Sequence, residues 1–243
     1  MERITSLTNA KVKFWTSLKD KKSRDEHGLF IAEERHLIEE ACEAGLLETL
    51  LIKDGEKPYA ACPDTYEISE QILKKVSGTV SANRQIGIVR KPAQNAARER
   101  VLLLDEVQDP GNVGTLVRTA KAFGFDSVIL SEGCADPYSH KAIRSTQGAV
   151  FSMNVIYADL KETICSLRKN GIPVYGTSLK NAVPLEKIKP AEKAAILLGN
   201  EGKGVKPELL DLCDQRIVIP MDGFESLNVA VAGGILAYYF RKA

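Results

Sequence analysis

The sequence predicts an α/β protein in two parts, the second a parallel sheet with helices on both faces. Two observations carry that prediction. From Val101 onward, short apolar segments alternate with helix-patterned ones. Within that half, the apolar run Val101 to Leu104 leads into DPGNVGTLVRTAKAFG, Asp109 to Gly124, a tight polar turn followed by an amphipathic helix.

The first part, residues 1–92, opens with a basic helix, a strand at Leu29 to Ala32 and a helix at Arg35 to Ala44. A strand at Thr49 to Ile52, a helix at Ser69 to Val76 and a last strand at Ile86 to Val89 follow. Residues 93–100, polar and alanine-rich, read as the linker to a second domain at 101–243. Its predicted strands are Val101 to Asp105, Ser127 to Leu130, Asn154 to Tyr157, Pro173 to Gly176, Ala195 to Gly199 and Arg216 to Pro220. Helices separate most of them, one at Asp159 to Asn170, and a last helix covers Leu227 to Arg241.

In the Asp109 to Gly124 helix, Val113, Leu116, Val117, Ala120 and Phe123 form one apolar stripe. Gly114, Arg118 and Lys121 fall on the opposite side. The bare Gly114, one turn before Arg118, leaves room for a large anion beside the guanidinium. Loops after parallel strands gather at one end of a sheet, where ligands bind. Two further loops share that placement: LLGNEGKGV, Leu197 to Val205, and IPMDGFESLNVAVAGG, Ile219 to Gly234.

Composition narrows the class. The 44% hydrophobic and 27% charged content is that of an ordinary globular protein, and a net charge of +1 does not mark a nucleic-acid binder. The charge is uneven, however. Lys11, Lys13, Lys19, Lys21, Lys22 and Arg24 surround Phe14 and Trp15. Two readings stand: a patch for RNA phosphates and bases, or a solvated helix face over two core aromatics. The five cysteines form no CxxC pair, so neither a zinc site nor a disulfide framework is expected. The start lacks the apolar core of a signal peptide, and Val229 to Phe240 is too short to span a bilayer. A cytoplasmic protein without a membrane partner is expected.

The glycine loop fails two nucleotide tests. Lys203 is followed by Gly204 rather than Ser or Thr, and no GxGxxG is present. Asn200 and Glu201 are left as a polar pair for a substrate, or as part of a plain turn. Ser226 is a plausible N-cap for the last helix. That helix is apolar nearly all round, and each of Gly233 and Gly234 costs about 1 kcal/mol against Ala. Close approach of another backbone, for example from a second subunit, would explain them.

Taken together, NVGTLVRTAKAFG, LLGNEGKGV and IPMDGFESLNVAVA resemble, in order and spacing, the three motifs of the SpoU (TrmH-type) RNA ribose methyltransferases of the SPOUT superfamily. RSTQGA, Arg144 to Ala149, resembles the family pattern between the first and second motifs. The front part is similar to the ribosomal-protein-like RNA-binding domain often fused to this family. Related front domains show Glu-Gly where this chain has Glu33-Glu34. The resemblance implies a deep C-terminal trefoil knot in place of the unknotted sheet that periodicity alone would suggest. It also implies a homodimer and S-adenosylmethionine as cofactor. Carried over by motif, Asn112, Arg118, Glu201, Ser226 and Asn228 are the catalytic set. Gly199, Ile219 and Leu227 would hold the methyl donor, with Thr177 and Met221 as further candidates.

The expected activity is 2′-O-ribose methylation of structured RNA, ribosomal RNA before transfer RNA. A non-catalytic RNA-binding or ribosome-assembly protein of the same fold is the alternative. No His or Cys in the motifs is an evident base. Arg118, the family's proposed base, carries a guanidinium, which is normally a permanent cation. Either it loses a proton transiently, or it grips a phosphate and stabilises the developing alkoxide; the second is favoured.

Overall fold

The structure, a computed structural model, describes residues 1–77, 84–223 and 226–241. Phe224 and Glu225 of the third motif lie outside the described residues. The chain forms two compact units, Met1–Ala93 with Tyr138–Ser152, and Gln94–Pro137 with Met153–Ala243.

The first unit begins with β1 (Glu2–Ile4), α1 (Ala10–Ser17), α2 (Lys21–His27), β2 (Leu29–Ala32) and α3 (Arg35–Glu43). β3 (Leu47–Lys53), β4 (Asp64–Ile68), α4 (Glu70–Val76) and β5 (Gln85–Arg90) follow. The strands form one sheet in the order β1-β4-β3-β5-β2, parallel among β1, β4 and β3 and antiparallel around β5. β1 and β4 have no counterpart in the sequence reading. Each buries only its last residue, Ile4 and Ile68, so neither shows a period-two apolar pattern.

The expected basic helix is two helices. Asn9 caps α1 through the Lys11 N–H at 2.8 Å, and Gly28, in the left-handed region, turns α2 into β2. Trp15 is core, packed with Val12, Leu18 and Ile72, and Phe14 packs against the same cluster. Arg24 is also buried and donates to the Leu18 carbonyl at 2.9 Å. For these three residues the structural reading of the cluster holds. Lys13 and Lys22 stay exposed.

The second unit starts with β6 (Arg100–Leu104), α5 (Pro110–Ala122) and β7 (Ser127–Leu130). The next helix, α6 (His140–Thr146), belongs to the first unit, where Tyr138, Ile143, Val150 and Phe151 share a core with Phe30 and Leu37. The second unit resumes with β8 (Asn154–Tyr157), α7 (Leu160–Lys169), β9 (Val174–Thr177) and β10 (Val183–Pro184). It ends with β11 (Ala194–Leu198), α8 (Pro207–Leu210), β12 (Gln215–Val218) and α9 (Val229–Tyr239). Its seven strands run in the order β10-β12-β9-β11-β6-β7-β8, every pair parallel. β6, β7 and β11 are buried along their whole length, as strands covered on both faces must be. This is the expected α/β architecture.

α5 and α9 lie against each other. Asp109 caps α5 through the Asn112 N–H at 3.0 Å, with Pro110 in its first turn. The cap of α9 is Asn228, whose Oδ1 accepts the N–H groups of Ala230 (2.8 Å) and Val231 (3.3 Å). Ser226, the expected cap, precedes it by two residues. Gly233 also departs from expectation: a Cβ there would collide with Leu116 of α5 and crowd Leu198 of β11, so the close approach comes from this chain's own core. Gly234 faces open space. Beside it, α9 exposes Val231, Ile235 and Tyr238, and Leu227 is exposed just before the helix. Among the described residues no helix is long and apolar enough to cross a membrane.

Candidate active site

The loops after β6, β9, β11 and β12 leave the same end of the parallel sheet, which is where the sequence motifs fall. The loops after β9, β11 and β12 bound a cavity of about 620 Å³. Thr177, Gly199, Ile219, Met221 and Leu227 all line it, and so does Ser226.

The glycine loop is shaped by its own hydrogen bonds. Asn200 and Gly204 exchange backbone bonds at 3.1 and 2.9 Å, and Gly204 takes a left-handed φ of 71°. The loop folds back so tightly that a Cβ at Gly199 would fall on the Gly204 carbonyl carbon and the Val205 nitrogen. Only glycine fits there. The Asn200 side chain is used entirely within this scaffold. Its Oδ1 accepts from Gly202 (3.0 Å) and Lys203 (3.1 Å), and its Nδ2 donates to the Glu106 carbonyl at 2.8 Å. Asn200 is therefore a loop organiser, the alternative to a substrate holder left open by sequence.

Glu201, next in the chain, reaches the N-terminus of α5. Its carboxylate accepts from the backbone N–H of Gln108 and Asp109, each at 3.2 Å, and from Asn112 Nδ2 at 3.0 Å. Asn112 Oδ1 in turn accepts from Asn228 Nδ2 at 3.1 Å. One hydrogen-bonded chain, Glu201–Asn112–Asn228, thus joins the three motif loops. The ionised glutamate can only accept, which orients the Asn112 amide. Desolvation is the largest influence on Glu201 and opposes ionisation. The donors Asn112, Gln108 and Asp109 together outweigh it and hold the carboxyl below its ordinary pKa. The positive end of α5 acts in the same direction.

Two members of the expected catalytic set stand outside that chain. Ser226 is exposed at the cavity wall. Arg118 is exposed on α5, and among the described residues no hydrogen bond or ion pair engages its guanidinium. Gly114, expected as an open gap beside Arg118, is buried. It is also three residues before the buried Val117, so it shares that covered face. In the first unit, Glu34 pairs with Arg144 of RSTQGA at 2.6 Å.

One buried acid beside the glycine loop was not singled out by the sequence reading. Asp105, at the end of β6, is 1% exposed and accepts the Lys206 N–H at 2.9 Å. The two residues are 101 positions apart, and the signal in sequence is an acid closing a wholly apolar run.

Comparison with known proteins agrees with this arrangement. Residues 99–238 match the SpoU rRNA Methylase family, and residues 9–87 match the MRM3-like substrate binding domain. The chain is 40% identical to the 23S rRNA (guanosine(2553)-2′-O)-methyltransferase RlmP of Bacillus subtilis, over 99% of this chain and 100% of RlmP. It superposes with a TM-score of 0.85 and 30% identity on an AdoMet-bound rRNA methyltransferase from Sinorhizobium meliloti, covering 98% and 96% of the two chains. The SpoU methyltransferase AviRb from Streptomyces viridochromogenes, in complex with AdoMet, gives a TM-score of 0.85 at 25% identity, covering 95% and 96%. By its motifs, its fold and the match over residues 99–238, the chain belongs to the SpoU rRNA methylase family.

Proposed function

We propose that this protein transfers a methyl group from S-adenosylmethionine to a ribose 2′-hydroxyl of ribosomal RNA, in the cytoplasm. The carrying observation is the Glu201–Asn112–Asn228 chain, which ties three motif loops together beside one cavity. The 23S rRNA activity of RlmP, matched over both units of the chain, favours ribosomal over transfer RNA.

The cavity suits the donor. Its volume of about 620 Å³ holds a nucleoside-sized ligand, and its walls mix apolar side chains with glycine backbone. Thr177, Gly199, Ile219, Met221 and Leu227 would hold S-adenosylmethionine there. When bound, that group supplies an electrophilic methyl on a sulfonium.

The rest is done by the protein's own residues. Arg118, permanently charged, holds an RNA phosphate and stabilises negative charge growing on the ribose oxygen. Ser226 positions the ribose. Glu201, Asn112 and Asn228 hold the loops in register, so no reorganisation is needed when substrate arrives.

Two family features belong to this reading. The trefoil knot is supported by the strand order, in which β11 inserts between β9 and β6 while β12 lies beyond β9. The homodimer is supported by the exposed Val231, Ile235 and Tyr238 flanking the open Gly234. Labelled S-adenosylmethionine, incubated with the protein and total RNA from a strain lacking it, tests the function. Label in 23S or 16S RNA supports the reading; label in transfer RNA alone, or none, overturns it.

A further inference from the structure

We propose that Asp105 is a positioning residue for the methyl donor, acting through the loop Gly199–Lys206. The inference rests on the cavity being the donor site. Three observations carry it. Asp105 lies at the end of β6 with its carboxylate almost wholly buried, and a buried charge is costly unless it is partnered. Its Oδ2 accepts the Lys206 N–H at 2.9 Å, while Oδ1 has no hydrogen bond among the described residues and sits 3.6 Å from Lys206 Nζ. The same ammonium reaches Glu106 at 2.5 Å.

Glu106 is itself unusual, a non-glycine residue in the left-handed region at φ 53°. That turn presents its carbonyl to Asn200 Nδ2 at 2.8 Å. Asp105 therefore fixes the end of the glycine loop, and the Glu106 carbonyl fixes its start. Between these anchors lie Gly202 and Val205, and Gly199 immediately precedes the first; all three are walls of the cavity. A slack loop would widen the cavity before it disturbed Arg118 on α5.

The expected signature is a split between binding and turnover. Asp105→Ala raises the Kd and KM for S-adenosylmethionine about ten-fold or more, with kcat within about three-fold of wild type. Asp105→Asn, which keeps an oxygen for the Lys206 N–H, restores most of the affinity. In donor-free protein, Asp105→Ala speeds amide hydrogen exchange at Lys206. Should Asp105→Ala fail to fold, Lys206→Met serves instead. It keeps the backbone bond, removes the ion pairs, and weakens donor binding about two- to three-fold. Donor Kd is read by calorimetry without RNA. Unchanged donor affinity in a folded Asp105→Ala overturns the proposal, as does unchanged affinity in Lys206→Met where the alanine variant does not fold. A wild-type protein that binds no S-adenosylmethionine overturns the donor site and this proposal together.

Discussion

Asn112 and Arg118 lie on one helix, less than two turns apart, and the fold treats them in opposite ways. Asn112 is bonded on both sides, to Glu201 and to Asn228, whereas Arg118 projects outward with its donors unused among the described residues. A protein spends its internal hydrogen bonds on groups that must not move. It leaves exposed the group that must meet something from outside. In the proposed function, Asn112 holds the loops and Arg118 holds RNA, and this difference supports that division.

The largest expected effect breaks the exposed side. Arg118→Ala should lower kcat by a factor on the order of 10² to 10³, as loss of one preorganised charge-stabilising donor does. Donor affinity, measured by calorimetry, should stay within about two-fold of wild type. A comparable loss of donor binding would place Arg118 in the scaffold and erase the contrast with Asn112. Arg118→Lys sharpens the same point: the charge survives but the planar fork does not, so turnover should stay well below wild type.

Breaking the held side should have a smaller and different effect. Asn112→Asp removes the amide donor and sets a second carboxylate against Glu201. We expect about 1–2 kcal/mol of destabilisation in chemical denaturation, with kcat and donor KM both impaired. Helix capping is not at stake, because Asp109 caps α5. A fully active and fully stable Asn112→Asp would show that the chain of hydrogen bonds is ornamental.

The mildest effect is on pH dependence. Glu201 has a folded-state pKa below its unfolded value. Its contribution is therefore complete above the unfolded carboxylate pKa, and fades as pH falls from there through the folded value. The melting temperature of Glu201→Gln should approach that of wild type only as pH is lowered below the ordinary glutamate value of about 4.3. A constant gap between the two proteins would remove Glu201 ionisation from the mechanism.

The same two residues show what sequence can and cannot display. β6, β7 and β11 were legible because both faces are buried, so every position is apolar. β1 and β4 were not, since each buries a single residue. The membership of Tyr138, Ile143 and Val150 in the first unit's core was invisible too, because an apolar residue does not state which core it joins. Asn112, Arg118, Glu201 and Asn228 stood out by motif, but their division into bonded and free groups depends on contacts about ninety or more positions apart. Ser226 and Asn228 are equally good caps on paper, and only the bonds to Ala230 and Val231 choose between them.

The central claim is tested most directly by ribosomal RNA from a strain lacking this protein, treated with wild type or Arg118→Ala and then hydrolysed with alkali. A ribose without a free 2′-hydroxyl resists cleavage at its 3′ phosphodiester. Wild type should create one new resistant nucleotide, and Arg118→Ala, while binding the donor normally, should create none on the same timescale. Donor binding by wild type without any resistant nucleotide would contradict the claim.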